Sequence, residues 1–128
     1  MYPYSSENIV ARATPSGVGA LALIRVSGEN LIKTYGAMFD KKLEERCSTY
    51  AKIYDPLSEK LLDRSIVTYY KGPRSFTGED MLEISCHGGL IIINNIIDVI
   101  INSGARHAMP GEFSLRAFLN GKMDLLQA

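Results

Sequence analysis

The sequence predicts an α+β fold in which helices pack on one face of a mixed β-sheet. Three observations lead to this prediction. The chain has 128 residues and a hydrophobic share of 46%, which suit one modest core. Five short runs typical of strands lie within the first 87 residues. Apolar residues at helical spacing predict one helix between the second and third strands and two helices after the last strand. The predicted order is therefore β-β-α-β-β-β-α-α.

The first elements are two strands, a turn and a helix. Ile9–Ala13 is a short strand, Thr14–Gly19 is a turn because it holds one proline and two glycines, and Ala20–Val26 is an apolar, buried strand. Ser27 is a residue type that caps helices. The helix that follows is predicted from apolar residues at helical spacing: Leu31, Ile32, Tyr35, Met38 and Phe39.

The middle of the chain predicts three strands. Lys41–Arg46 is a solvated charge run, and Thr49–Tyr54 and Leu61–Tyr70 form a hairpin joined by the polar connector DPLSEK. The loop Lys71–Asp80 then leads to a strand over Met81–His87.

The C-terminal part predicts helices. A helix opens after Gly89 and ends at Asn102, with Gly104 suited to the left-handed position beyond its end. Although isoleucine favours strands, a polar stripe at helical spacing supports a mostly buried helix. The stripe consists of Asn94, Asn95, Asp98 and Asn102. A second helix spans Glu112–Leu119, and Gly121 breaks it. We therefore expect a domain over residues 1–120 and the start of a truncated helical domain over 121–128.

Composition narrows the class of protein. Basic and acidic residues balance at 14 each, so the basic stripe of a free-standing nucleic-acid binder is absent from the sequence. The N-terminus does not resemble a signal peptide, and the apolar run Leu90–Ile101 is too short and too polar to span a membrane. The two widely separated cysteines, Cys47 and Cys86, indicate a reducing compartment, so we expect a cytoplasmic protein.

Glu83 is the first candidate for ligand binding. Side chains alternate along a strand, so Leu82, Ile84 and Cys86 take the core face while Glu83, Ser85 and His87 share the other face. A carboxylate on a rigid strand can accept two parallel hydrogen bonds from a planar ligand. The competing interpretation is a solvated glutamate on an amphipathic strand.

Arg25 and Lys122 are two further candidates. Arg25 interrupts an apolar run near a strand end, so it needs an anionic or carbonyl partner, which an internal carboxylate such as Glu29 could supply. Structural and ligand-binding roles are equally consistent with this position. Lys122 follows the glycine that ends the last predicted helix, where a solvated lysine is the ordinary outcome.

The histidines and cysteines predict no metal centre and no nucleophile. Cys86 and His87 point to opposite faces of one strand, so a buried thiol and a polar-face imidazole are the simpler interpretation. His107 has no nearby partner pattern and is interpreted as structural. The glycine-rich stretches lack the spacings of nucleotide-binding loops. No residue is therefore assigned a catalytic or metal-binding role.

Three long motifs and the weaker hairpin between Tyr50 and Tyr70 resemble one family. The motifs are ATPSGVGALALIRVSG from Ala13, GPRSFTGEDMLEISCHGG from Gly72, and GARHAMPGEFSLRAFLNGKMDLLQA from Gly104. Together the chain resembles the N-terminal domain of the MnmE (TrmE) family of tRNA-modifying GTPases. Ser16 stands where a second proline is common in the family, a change that still permits a turn.

The resemblance implies a cofactor and a fold. The family's N-terminal domain is similar to the folate-binding domain of aminomethyltransferases and binds 5-formyl- or methylene-tetrahydrofolate. The positions that match its folate-contacting residues are Arg25, Glu83 and Lys122. The resemblance also implies a homodimer.

For the full-length protein, the resemblance implies a helical domain and a potassium-dependent GTPase domain, which would hold GTP, Mg²⁺ and K⁺ outside this fragment. It implies modification of the wobble uridine of tRNA together with the flavoprotein MnmG (GidA), with the folate supplying the one-carbon unit and no membrane association. On this interpretation the fragment alone is not catalytic. Two alternatives are a pure dimerisation module and a stand-alone aminomethyltransferase-like enzyme, the latter disfavoured because its second domain is absent from this sequence.

Overall fold

The computed structural model describes residues 7–13 and 21–121. Within them, the strands of one sheet are β1 (Ile9–Arg12), β2 (Leu21–Gly28), β3 (Thr49–Tyr54), β4 (Leu61–Tyr70), β5 (Asp80–His87) and β6 (Arg106–His107). The spatial order is β3-β4-β5-β2-β1-β6, with antiparallel neighbours except for the parallel pair β1–β6. The predicted α+β class with a mixed sheet is confirmed, and so is the β3–β4 hairpin.

The helices are α1 (Leu31–Tyr35), α2 (Leu90–Asn102) and α3 (Glu112–Leu119). The predicted polar stripe of α2 is exposed, whereas Ile93, Ile96 and Ile100 on the other side of this helix are buried. α2 is thus amphipathic, as the spacing predicts. The prediction that it is mostly buried is wrong, because only five of its 13 residues are buried.

The main core lies between α1 and α2 and one face of the sheet. Alternate residues of the two central strands point into it and are almost fully buried: Ala22, Ile24 and Val26 from β2, and Leu82, Ile84 and Cys86 from β5. We call the other side of the sheet the open face. It carries Arg25 and Glu83, which lie side by side in the β2–β5 register.

Two local predictions need correction. Ser27 caps no helix; it belongs to β2, is buried, and bonds to Thr77 and Glu79. The helix predicted as far as Phe39 ends at Tyr35 and continues as a 3₁₀ turn over Gly36–Met38. Phe39 itself is extended because it pairs with Ile53.

The two-residue strand β6 was not predicted, since two residues carry no periodicity. Three predictions lie wholly or partly outside the described residues: the turn Thr14–Gly19, Ala20 of the second strand, and residues 122–128 of the helical-domain start. Gly121 has a φ of 74°, which agrees with the predicted break after α3.

Candidate ligand pocket on the open face of the sheet

The loop of residues 71–79, here called the pocket loop, joins β4 to β5 and folds back on itself. The Gly72 N–H donates to Asp80 Oδ1 at 2.9 Å. A Cβ at Gly72 would lie 2.8 Å from the Gly78 carbonyl oxygen, which is too close for any side chain. Gly78 has a φ of 84°, in the region that glycine adopts without strain. The two glycines therefore determine how closely the loop can close.

Hydrogen bonds hold the pocket loop to the sheet and to α3. The buried hydroxyls of Thr77 and Ser27 are 2.7 Å apart, and Ser27 Oγ donates to Glu79 Oε1 at 2.7 Å. Asn120, directly after α3, donates from Nδ2 to the Thr77 carbonyl at 2.8 Å. The middle of the loop is thereby bound to two separate parts of the fold.

A buried ionic cluster reinforces this attachment. Arg116 of α3, whose side chain is fully buried, donates from Nη1 to Glu79 Oε1 at 2.9 Å and from Nη2 to Glu112 Oε2 at 3.2 Å. Arg106 of β6 pairs with the same Glu112 oxygen at 2.6 Å. Burial alone would lower the pKa of Arg116, but hydrogen bonds and charges from Glu79 and Glu112 outweigh it and raise the pKa. The buried cation is thus compensated by two carboxylates.

The open face carries a second, more exposed arginine–glutamate pair. Arg25 Nε donates to Glu83 Oε2 at 2.8 Å, and the Tyr70 hydroxyl donates to Glu83 Oε1 over a long 3.4 Å. The Arg25 and Glu83 side chains remain 33% and 23% exposed. Burial, followed by the Glu83 charge, raises the pKa of the Tyr70 phenol, so this hydroxyl stays a donor at neutral pH.

This pair adjoins a cavity of about 510 Å³. Its lining residues are Arg46, Tyr70, Arg74, Ser75, Phe76, Met81 and Glu83. The Phe76 ring, in the pocket loop, lies 5.7 Å from Arg25 Cζ, which is within cation–π range. The volume falls within the usual range for small-molecule sites, about 300–1,000 Å³. An aromatic ring, a tyrosine, a carboxylate and cations around one cavity suit a planar, polar ligand.

The structure brings two of the three predicted site residues together. Arg25 and Glu83 are in direct contact although 58 positions separate them in sequence. The suggestion that Glu29 partners Arg25 is wrong, because the register of β2 and β5 places Glu83 directly opposite Arg25. Lys122 lies outside the described residues.

Other residues of the pocket were not predicted. Arg46 belongs to the run expected to be merely solvated, and Phe76 and Arg74 lie in a polar loop without periodicity. A phenylalanine within a predicted polar loop that contains glycine and serine is a sequence signal that could have pointed to the site.

The structure agrees with the prediction that Cys86 is a buried thiol and that His87 lies on the face of its strand opposite the core. Cys86 is fully buried, and burial followed by the Asp63 charge raises the pKa of its thiol to about 11, which disfavours a thiolate. His87 is exposed and its Nδ1 lies 2.7 Å from Asp63 Oδ1. Across residues 7–13 and 21–121, no three His, Cys, Asp or Glu side chains form a group that could hold a metal ion.

None of the helices in the described part of the chain has the length and apolar character needed to cross a membrane. Of α1, α2 and α3, the longest is α2, with 13 residues.

Comparisons with known proteins agree on one family. The family model described as "GTP-binding protein TrmE N-terminus" matches residues 8–122. The tRNA modification GTPase MnmE of Alkaliphilus oremlandii is 43% identical over 98% of this chain and 29% of its own length. Proteins with the same name from Fervidobacterium nodosum and Campylobacter concisus are each 48% identical, over 95% and 96% of the chain and 28% of their own lengths. The chain thus spans under a third of these relatives.

Proposed function

This chain belongs to the family of TrmE N-terminal domains, and on that premise we propose that it binds a reduced folate, 5-formyl- or methylene-tetrahydrofolate, in the cavity beside Glu83. The observation that carries the proposal is the Glu83 carboxylate, which sits at the cavity on a central strand and is only partly exposed. A pterin ring presents an amino group and a ring N–H on one edge, and a carboxylate accepts such a pair of donors side by side.

The contacts of Glu83 leave capacity for these donors. A carboxylate has about four lone-pair sites. Arg25 uses one of them at 2.8 Å, and Tyr70 uses a second only weakly at 3.4 Å. The two remaining sites match the two donors of the pterin. In this arrangement Arg25 orients the Glu83 carboxylate through its Nε, and its terminal nitrogens are suited to the carbonyl of the ring.

The aromatic neighbours support a flat ligand. Phe76 is 44% exposed and lines the cavity, so its ring is accessible to a bound ligand. Tyr70 lines the same cavity. A ring bound at Glu83 would pack against these side chains and remove their apolar surface from water. Lys122 completes the proposed site as a cation for the carbonyl or the anionic tail of the folate.

The direct test is titration calorimetry with 5-formyl-tetrahydrofolate on the wild type and on Glu83→Ala. Loss of the charge-assisted contact should cost about 1.5–3 kcal/mol, or about ten- to a hundredfold in affinity. Glu44→Ala is a matched control, because Glu44 is exposed and does not line the cavity. Equal affinities for wild type and Glu83→Ala would remove Glu83 from the site.

For the full-length protein, we propose that this domain supplies the one-carbon unit during modification of the wobble uridine of tRNA in the cytoplasm. The relatives' name, tRNA modification GTPase, supports this proposal. GTP, Mg²⁺ and K⁺ would then bind in a separate GTPase domain. MnmG (GidA) and tRNA would be partners of the whole protein.

The alternative is a dimerisation module that binds no ligand of its own. It is favoured by exposed apolar side chains on the open face, where Tyr50 is 59% exposed and its register partner Ile66 is 44% exposed. Sedimentation with and without 5-formyl-tetrahydrofolate, combined with the calorimetry, separates the two proposals. A dimer that binds no folate favours the module, whereas folate binding, with or without a dimer, favours the cofactor site.

A further inference from the structure

We propose that Arg46 and Arg74 form an anion subsite at the rim of the cavity that binds the glutamate tail of the folate and selects polyglutamylated forms. This inference rests on the proposed function, because it assigns the second end of the same ligand. It assigns the tail to these two arginines and not to Arg25, since Arg25 is already engaged by Glu83.

Within the described part of the chain, the two arginines lack a counter-charge. Both line the cavity and both are exposed, yet neither forms an ion pair with any residue of 7–13 or 21–121. Their contact with each other is a marginal one, from Arg46 Nη1 to the Arg74 carbonyl at 3.4 Å. Both arginines of the neighbouring ionic cluster, in contrast, have a carboxylate partner. Two such guanidinium groups beside one cavity therefore mark a place where an anion is favoured.

The backbone at both positions is held in place. Arg46 has a φ of 63°, an unfavourable value for a residue with a side chain, and its N–H donates to the Tyr69 carbonyl at 2.7 Å. Arg74 lies in the pocket loop, where its N–H donates to the Lys71 carbonyl at 3.1 Å. The two guanidinium groups thus extend from fixed points on two different segments that line the cavity.

The charged groups that line the cavity complement the donors and the carboxylates of a folate. Glu83 provides an acceptor for the donors of the ring, and Arg46 and Arg74 provide cations for carboxylates. The first glutamate of a folate tail brings two carboxylates, and each added γ-linked glutamate brings one more negative charge. Because both arginines are exposed, the tail can continue into solvent past them. Each added charge near them strengthens binding without needing further enclosed volume.

The test compares three ligands that share the same ring: tetrahydropteroate without glutamate, 5-formyl-tetrahydrofolate with one glutamate, and its triglutamate. Wild-type affinity should rise along this series, by about tenfold in all, because an exposed ion pair contributes roughly two- to fivefold. In the double variant Arg46→Ala/Arg74→Ala, the three ligands should bind within about twofold of one another. The rise in wild-type affinity from the first ligand of the series to the last, called the gain below, should also be smaller in concentrated NaCl, about 0.5 M, since salt screens exposed charges.

Two further variants identify the cause of the effect. Arg64→Ala removes an exposed arginine from the same sheet but not from the cavity, so it should keep the full wild-type gain. Arg46→Lys/Arg74→Lys keeps the charges but loses paired hydrogen bonds, so it should keep part of the gain.

The outcomes separate this inference from the proposed function. If the three ligands bind the wild type equally, the subsite is wrong while the ring site stands. If the double variant keeps the gain, the tail is bound by other residues and the subsite is again wrong. If no ligand of the series binds the wild type at all, the folate proposal itself fails.

Discussion

Two arginine–glutamate pairs meet the pocket loop, and they differ chiefly in burial. Arg116 and Glu79 are buried, with side chains 0% and 8% exposed, and attach the loop to α3. Arg25 and Glu83 are 33% and 23% exposed, and Arg25 meets the loop through the Phe76 ring at 5.7 Å. Water cannot replace a lost partner in the first pair but can in the second. The buried pair therefore anchors the pocket loop, whereas the exposed pair can exchange its contacts with a ligand.

The comparison predicts, first, a large loss of stability when the anchor is broken. Arg116→Met leaves Glu79 and Glu112 with their buried charges less compensated, so the free energy of unfolding should fall by about 3–5 kcal/mol. Urea denaturation measures this change. Arg25→Met is the matched control, because the same substitution in the exposed pair should cost less than about 1 kcal/mol. Equal losses for the two variants would break the comparison.

A second prediction concerns the closure of the pocket loop. Gly72→Ala would place a methyl carbon 2.8 Å from the Gly78 carbonyl oxygen, so the loop backbone must shift. We expect a loss of about 1–3 kcal/mol in the free energy of unfolding, together with weaker folate binding. Gly89→Ala is the control, since a Cβ there meets nothing within 4 Å and the backbone φ is −68°. Wild-type stability and binding for Gly72→Ala would show that the loop tolerates a more open form.

A third prediction concerns ligand binding by the exposed pair, Arg25 and Glu83. Arg25→Met should leave the fold nearly as stable as the wild type but weaken 5-formyl-tetrahydrofolate binding by about tenfold, or about 1.4 kcal/mol. The physical reason is that Arg25 orients Glu83 and contributes a cation beside Phe76. Calorimetry on the folded variant provides the measurement. Unchanged affinity would reduce Arg25 to a surface ion pair without a part in the site.

Much of the local structure could be predicted because its signals are local. The alternation along Met81–His87 correctly assigned Glu83 to the face opposite the core, and helical spacing correctly gave α2 its exposed polar stripe. Both patterns follow from side-chain periods of about two and 3.6 residues, which need no knowledge of distant partners. The prediction that the first helix continues past Tyr35 was wrong because a distant contact decides the structure there. Phe39 pairs with Ile53, and this contact overrides the local helical spacing.

The sequence by itself determined β1 to β5, the exposed face of α2 and the resemblance that points to Arg25, Glu83 and Lys122. Only the tertiary structure decided that Arg25 contacts Glu83, that Ser27 and Glu79 secure the pocket loop, and that Arg46 borders the cavity. The Arg25–Glu83 and Ser27–Glu79 contacts join residues 58 and 52 positions apart, and Arg46 contacts Arg74 across 28 positions. Which polar side chains meet depends on strand register and loop closure. Both are set by packing of the whole domain, because a shift of one residue moves every side chain to the other face of the sheet.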